Sequence, residues 1–547
     1  MVSIPFQFTE FFNTNSRRSP VLALRGIVAS SHPLATQAGL EVMQQGGNAA
    51  DAAVACAAAL NVVEPMSTGI GGDCFALFYD ARQKKVLGMN GSGRAPKNLT
   101  IDDARKAGIT GNSIPSSSPH AVTVPGCCAG WVDTIEQFGR LSIKDVLGPA
   151  IRLAIRGHPV APLIALAWST GTGKLKASAH GRELLVDGAA PEPGQVFRNR
   201  NLSKVLQAVA EHGKAGFYEG WVAKAIVDTH QAAGGKITLD DLKAHRSTMD
   251  APITTRYRGI DVHEIPPNGQ GITALIALNI LEEFDLASLD PCSPEYYHLL
   301  IESLRLAFAD TRYFVADPFF CKVPVEGLLS KAYAAERRKL IDRTKATIDA
   351  VHGTPAMSSD TVYLATADGD GNACSFINSN YEAFGTGIVP AGTGFVLQNR
   401  GSNFVLDPAH PNRLEPGKRP YHTIIPAMAT RDGELWATFG VMGGFMQPQG
   451  HVQVFCRMVE HEYDPQAALD APRFCIEGGN ASGVVLLEES IAPATRDDLA
   501  RMGHRVKLVS GFGRSAFGRG QIIRRDPDSG VLWAGSDPRS DGCAFGY

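Results

Sequence analysis

Apolar and polar residues alternate most regularly in two runs, TVYLATA at 361–367 and ACSFINSN at 373–380, on either side of the polar stretch DGDGN. Runs rich in Val, Tyr, Thr, Phe and Ile, joined by Asp, Gly and Asn residues that accept left-handed backbone angles, predict a β-hairpin. With Ala367 facing Ala373, counting outward sets Thr361 opposite Ser379, two hydroxyls on one sheet face with Cβ atoms about 5 Å apart. By itself the hairpin favours an ordinary Thr–Ser cross-strand pair over a functional one.

Upstream the period changes from two to that of a helix. LATQAGLEVMQQ reads as an amphipathic helix closed by Gly46 and Gly47, and AADAAVACAAAL as a second helix capped by Asn48, Ala-rich on every side and therefore buried. MSTGIGGD follows, a glycine loop that lets backbone approach backbone or ligand closely, feeding the strands CFALFY and KVLGMN. Between 126 and 350 amphipathic stretches predict helices near 128–138, 143–155, 202–212, 220–232, 272–283, 295–313 and 330–343, with ITTRYRGIDVHEIPP as two strands and a turn. From 361 onward strands dominate, at 361–367, 373–380, 422–429, 435–440, 505–510 and 520–525, with helices near 451–461 and 490–502. Helix-rich sequence followed by antiparallel-looking strands predicts a layered α/β (α+β) domain with helices on the outer faces of sheets. Residues 1–25 read as a loosely ordered lead-in and 344–360, small, polar and Pro-containing, as an exposed linker ending at Thr361.

The 547 residues allow three to four domains or one large layered unit. Charged content of 20% and a net charge of -3 give no bulk attraction to nucleic acid or anionic membrane. There is no 18-residue apolar run and no secretory leader pattern, and the ten scattered cysteines read as reduced core thiols, so a cytoplasmic protein without a membrane span is expected. Several motifs fail their context. GFGRSA at 511–516 is followed by a strand and not by the helix a dinucleotide loop needs, Gly173–Lys174 lacks the P-loop glycine, and Gly91-Ser92-Gly93 has the wrong spacing for a nucleophile elbow. His422 reads as a core histidine in a strand, and no HxxxH, paired-His or carboxylate cluster suggests a metal.

NAADAAVA, GIGGD, RAP at 94–96, VTVPG at 122–126, IPP at 265–267, DTVYLATADGDGN, FGTGIV at 384–389, KRP at 418–420, MGG at 442–444 and the closing SDPRSDGCAFGY together resemble, in order, the gamma-glutamyltransferase family of N-terminal-nucleophile hydrolases. The resemblance runs from about residue 26 to the C-terminus. It implies a four-layer αββα sandwich and a proenzyme that cuts itself between Asp360 and Thr361 into a large subunit (26–360, after the lead-in) and a small one (361–547), which stay together as one composite domain. It further implies Thr361 as nucleophile, Ser379 as the second hydroxyl beside it, and Gly443 and Gly444 as the N–H donors of an oxyanion hole. No cofactor and no metal are implied. The partners implied are a small-molecule amide and the chain's own two fragments as a heterodimer, with a dimer of heterodimers also admitted.

The sequence departs from the family where the substrate is held. The family's carboxylate-gripping arginine falls at Ser92, with Arg94 the nearby arginine, and the positions around the glutamyl head group fall at Tyr381, Arg400, Asn403, His422 and Thr423. Asn403 supplies no acidic partner for a substrate ammonium, and an unpaired buried ammonium is costly. Arg94 and Arg400 are candidate carboxylate clamps, with solvated surface arginines as the plain alternative. GSGRAP, LQNRG and MGGFMQPQGH resemble the soluble, unsecreted branch of the family, which includes glutathione-hydrolase-like proteins and oxamate amidohydrolase. The expectation is an amidase for a small acidic acyl group; the alternatives are a genuine gamma-glutamyl hydrolase or transferase and a catalytically silent, uncut scaffold.

Overall fold

The computed structural model describes residues 18–347 and 360–547, for Asp360 the backbone alone. Two seven-stranded sheets carry the architecture. One runs in the order Val21–Ala23, Leu532–Ser536, Arg519–Arg525, Glu434–Met442, Ala427–Arg431, Ile260–Glu264, Ile253–Tyr257. The other runs Cys543–Gly546, Gly26–Ser30, Asp360–Asp368, Ala373–Tyr381, Asp73–Asp80, Lys85–Gly91, Thr248–Asp250. All pairings within them are antiparallel.

Side-chain alternation builds three apolar layers. Along Asp360–Asp368, Tyr363, Ala365 and Ala367 enter the core between the sheets, with Phe75, Leu77, Ile377 and Ile523. Val362 and Leu364 point the other way, into a core shared with the helices Pro33–Gln44 and Ala49–Val63. Helices Gly271–Leu281, Pro294–Phe314 and Met446–Glu460 cover the far face of the first sheet. The result is the αββα sandwich, and it explains why the hairpin strands are apolar on both faces.

Local chemistry sets the elements that hold the hairpin. Asn48 Oδ1 accepts from Ala50 N and Asp51 N while Asp51 Oδ2 accepts from Asn48 N at 2.8 Å, a capping box that starts the helix Ala49–Val63, buried along its whole length. Asp368 Oδ2 takes the Ala49 N–H at 3.0 Å and Thr366 Oγ1 donates to Ala49 O at 2.6 Å, so this cap is tied to the hairpin.

Three expectations need correction. The lead-in is not wholly irregular, because Val21–Ala23 pairs with Leu532–Ser536; residues 1–17 lie outside the described residues, as do 348–359 of the expected linker. The strand expected at 422–429 begins only at Ala427, since Pro426 has no N–H for a ladder and the preceding loop spends its donors elsewhere, His422 N on Asn268 O and Ile425 N on Gln447 Oε1. A helix over Pro162–Ala177, with two glycines in its second half, escaped the periodicity. Seven cysteines are buried, but Cys292 is exposed and Cys321 and Cys543 partly so. Among the described residues no helix is long and apolar enough to cross a membrane.

Candidate active site

The hairpin pairs in register from Ala367↔Ala373 to Val362↔Asn378 and then slips before Asp360↔Tyr381. Ser379 and Asn380 therefore oppose the single residue Thr361, a β-bulge of the kind that re-aims side chains. Thr361 is thus not a ladder partner of Ser379, yet the bulge brings Thr361 Oγ1 and Ser379 Oγ to 2.9 Å, both residues fully buried. Among the described residues no imidazole or carboxylate bonds to the Thr361 hydroxyl. Among the described residues it therefore carries no serine-protease-like relay.

Ser379 Oγ accepts from Tyr381 N at 2.8 Å and from Arg400 Nη2 at 3.2 Å. Arg400 Nη1 donates to Thr423 Oγ1 at 2.6 Å, and the guanidinium carbon stands 4.3 Å from the centre of the Tyr381 ring. Tyr381 carries a φ of 79°, and its hydroxyl donates to Asn403 Oδ1 at 2.9 Å. Such a backbone angle costs a bulky residue of order 1–3 kcal/mol and persists only where surroundings enforce it. Arg400 is completely buried, its Nε has no partner, and no described carboxylate lies within ion-pair distance. Burial lowers its pKa to about 10, which leaves it a cation at neutral pH. Asn403 Nδ2 is a second buried donor without a partner.

Behind this cluster, Asp73 at the end of the glycine loop ties together the backbone at Gly93 and Gly126 and the side chains of Gln398 and His422. Its Oδ1 accepts from Gly93 N, Gly126 N and Gln398 Nε2 at 2.9–3.0 Å, and its Oδ2 from His422 Nε2 at 3.1 Å. Burial pushes the Asp73 carboxyl up, but the His422 bond, Arg400 and the N–H donors outweigh it and hold the group below its usual range. Burial, with Arg400 adding, pushes His422 down to about 3, and likewise His245 and His451. An unfolded histidine takes up a proton near pH 6.5 whereas these do so only near 3, so the unfolded state binds more protons in between. Stability is therefore complete above about pH 6.5 and lost as pH falls from there, Asp73 adding to the loss at the acid end. A urea midpoint that drops steadily over this window is expected; a flat profile would count against neutral buried histidines.

A Cβ on Gly72 would lie 2.2 Å from Ser379 O, and one on Gly71 2.1 Å from Val396 O, so the glycine loop lets backbone touch the Ser379 strand at Gly72 and the Val396 segment at Gly71. Gly72→Ala is expected to displace Ser379, destabilise by about 1–3 kcal/mol, and slow any reaction at Thr361; a melting curve and an activity assay check both.

Gly443 and Gly444 have φ of 134° and 59°, close the strand Glu434–Met442, and donate no N–H bond to any described residue. Gln270 ties them to the cluster, its Nε2 donating to Gly444 O at 2.8 Å and to Thr423 O at 2.6 Å. A cavity of about 500 Å³ opens against Gly443, with Leu163, Phe512 and Arg519 also on its wall. Arg519 Nη2 reaches Thr361 O at 3.4 Å.

The fold thus brings Thr361, Ser379, Tyr381, Arg400, Asn403 and Thr423 into one hydrogen-bonded set, with His422 joined through Asp73 and Gly444 through Gln270. Arg94 is not part of it: half-buried, it donates to Arg246 O at 3.2 Å. Ser92 accepts from Asn268 Nδ2 at 3.1 Å. Asp73, Gln270 and Arg519 were missed by sequence reasoning; GIGGD was flagged for its glycines, and nothing marked the other two.

The gamma-glutamyltranspeptidase family matches residues 35–547. The glutathione hydrolase-like YwrD proenzyme of Bacillus subtilis is 39% identical over 531 residues, covering 96% of this chain and 99% of its own. The oxamate amidohydrolase proenzyme of Klebsiella pneumoniae is 34% identical over 535 residues, covering 96% and 99%. Among solved structures, cephalosporin acylase from Bacillus halodurans superposes with a TM-score of 0.90 at 44% identity over 97% of each chain.

Proposed function

The chain belongs to the gamma-glutamyltranspeptidase family and is an N-terminal-nucleophile hydrolase or transferase; from that premise we propose a self-processing threonine amidohydrolase for a small acidic acyl group. Cleavage of the Asp360–Thr361 bond yields two fragments that remain together, as the proenzyme names of the relatives suggest. It also frees a Thr361 α-amine with pKa about 7.7–8.0, which supplies the base that the folded surroundings of the hydroxyl lack.

In the cut enzyme the neutral amine takes the Thr361 hydroxyl proton as Oγ1 attacks the amide carbon. Ser379, 2.9 Å away, orients that oxygen. The N–H groups of Gly443 and Gly444 receive the oxyanion, each such donor typically worth about 2.7–4 kcal/mol toward the transition state. Collapse expels the amine, protonated from the α-ammonium, and leaves an acyl ester on Thr361. Water or an acceptor amine then releases the acyl group by the same steps in reverse.

Arg400 carries the choice of acyl group. A guanidinium with no exposed surface, an unpartnered Nε and no described carboxylate in ion-pair reach is a cation in want of an anion. A carboxylate on the acyl chain answers that need, and Asn403 Nδ2 offers it a second donor. The name oxamate amidohydrolase fits an acyl group of this kind. A gamma-glutamyl group would add an ammonium for which position 403 has no acid.

The test is incubation of the purified chain, with N-terminal sequencing of any fragments, then a panel of oxamate, oxalurate, glutaryl amides and gamma-glutamyl amides. A new terminus at Thr361 and a preference for carboxylate-bearing acyl groups without an ammonium are expected. One persistent full-length band with no amide turnover sinks the enzyme reading in favour of the uncut scaffold. Preference for glutathione would leave the mechanism standing and replace the substrate.

A further inference from the structure

We propose that His298, Glu302 and His504 form a binding site for a divalent transition-metal cation of the zinc class, which fastens the stretch from Asp342 to Thr347 to the body of the protein. Nothing in the spacing along the chain announces it, because His504 is 206 residues from His298. The fold unites them: His298 and Glu302 lie one turn apart on the helix Pro294–Phe314, and His504 follows the helix Pro493–Arg501. All three are buried, and one donor atom from each lies within 4.8 Å of the others.

The hydrogen bonds prepare the imidazoles for a cation. Asp342 O, a carbonyl, can only accept, so the 2.7 Å contact fixes the proton on His298 Nε2 and turns the Nδ1 lone pair inward. A carbonyl behind a ligating imidazole is the usual support of a metal-bound histidine. His298 Nδ1 meets His504 Nε2 at 2.8 Å, a gap that opens to about 3.3 Å when a tetrahedral ion with metal–nitrogen bonds near 2.0–2.1 Å enters. The proton then on His504 Nε2 passes to its Nδ1, which has no described partner, and the cation takes the vacated lone pair. Glu302 Oε1 is a buried acceptor without a hydrogen-bond donor, and its Oε2 accepts from Thr347 N at 2.8 Å.

Two imidazoles and one carboxylate, with a fourth position for water, are a donor set for zinc and its neighbours, not for calcium or magnesium. Arg305 Nε stands 3.5 Å from Glu302 Oε1, and its charge makes the site weaker than a four-ligand structural one. The location gives the cation its work. Asp342 O and Thr347 N bond to this cluster, and Ala346 N donates at 2.7 Å to Met502 O, two residues before His504. Metal there clamps the chain at Asp342 to Thr347, 13 residues before Asp360 at the proposed cut, whether or not the cut occurs.

Metal-free protein, dialysed against chelator, would be titrated with Zn²⁺ by calorimetry and with Co²⁺ by absorption, beside Glu302→Gln and His504→Gln. One ion per chain, a tetrahedral Co²⁺ band and a zinc-dependent rise in Tm are expected for the unaltered protein. Glu302→Gln, which keeps the histidine pair, should bind at least tenfold more weakly, and His504→Gln should lose the ion. Absence of stoichiometric uptake by the unaltered protein overturns the proposal, as does uptake undiminished in Glu302→Gln. That second comparison stands even should His504→Gln fail to fold.

Discussion

A Thr361→Ala chain is expected to remain a single full-length band on a denaturing gel and to turn over no amide, its kcat/KM falling by about four orders of magnitude or more. The magnitude follows from removing the one group on which the proposed mechanism converges, where loss of a nucleophile costs nearly all of the covalent route. The surroundings give no substitute. Ser379 Oγ is held by Tyr381 N and Arg400 Nη2 and faces the Thr361 oxygen. Thr361→Ser keeps a hydroxyl on the same bulge and should still cut, more slowly. Normal cutting by the alanine variant would remove Thr361 from the mechanism, whatever else the site does.

The second large effect is expected at Arg400. Replacing it by glutamine removes the buried cation and should lower kcat/KM for a carboxylate-bearing acyl amide by about two to three orders of magnitude, the range found when one partner of a buried charge pair is truncated. Because Arg400 also touches Ser379 and Thr423, a general loss of activity would not identify its role. The decisive quantity is a ratio, the rate for the acidic acyl amide over that for its methyl ester. That ratio should collapse in Arg400→Gln. If both substrates slow equally, Arg400 serves only to position Ser379, and the acidic-acyl reading fails.

How far the sequence reached depends on the distance over which the information is carried. The hairpin, the capped Ala-rich helix and the outer helices are written in runs of a dozen residues, and each stands where periodicity put it. The bulge at Thr361 is not visible in alternation, because a slip of one residue arises from what the neighbouring strands and the glycine loop demand. The strands Leu532–Ser536 and Cys543–Gly546 hide among turn residues, and each pairs with a strand more than 500 residues away. The same holds for the site. Arg400 and Asn403 could be singled out through the resemblance, but the want of a carboxylate partner for Arg400 among the described residues is a property of the whole interior. Asp73 and Gln270 work by joining loops from opposite halves of the chain, so no local pattern records them.

Both sheets draw strands from either side of residue 360. Asp360–Asp368 lies between Gly26–Ser30 and Ala373–Tyr381, while Ala427–Arg431 lies against Ile260–Glu264. A peptide bond at Asp360 therefore matters most before the sheets exist, when it keeps the two halves at high mutual concentration. Once they have zipped together the tether contributes little to holding them. Cutting it would erase the route by which the pair was made: separated pieces would have to find each other as two unfolded partners, strand by strand. The intact precursor would then act as an intramolecular chaperone used once, and its product would be durable by kinetics as much as by equilibrium.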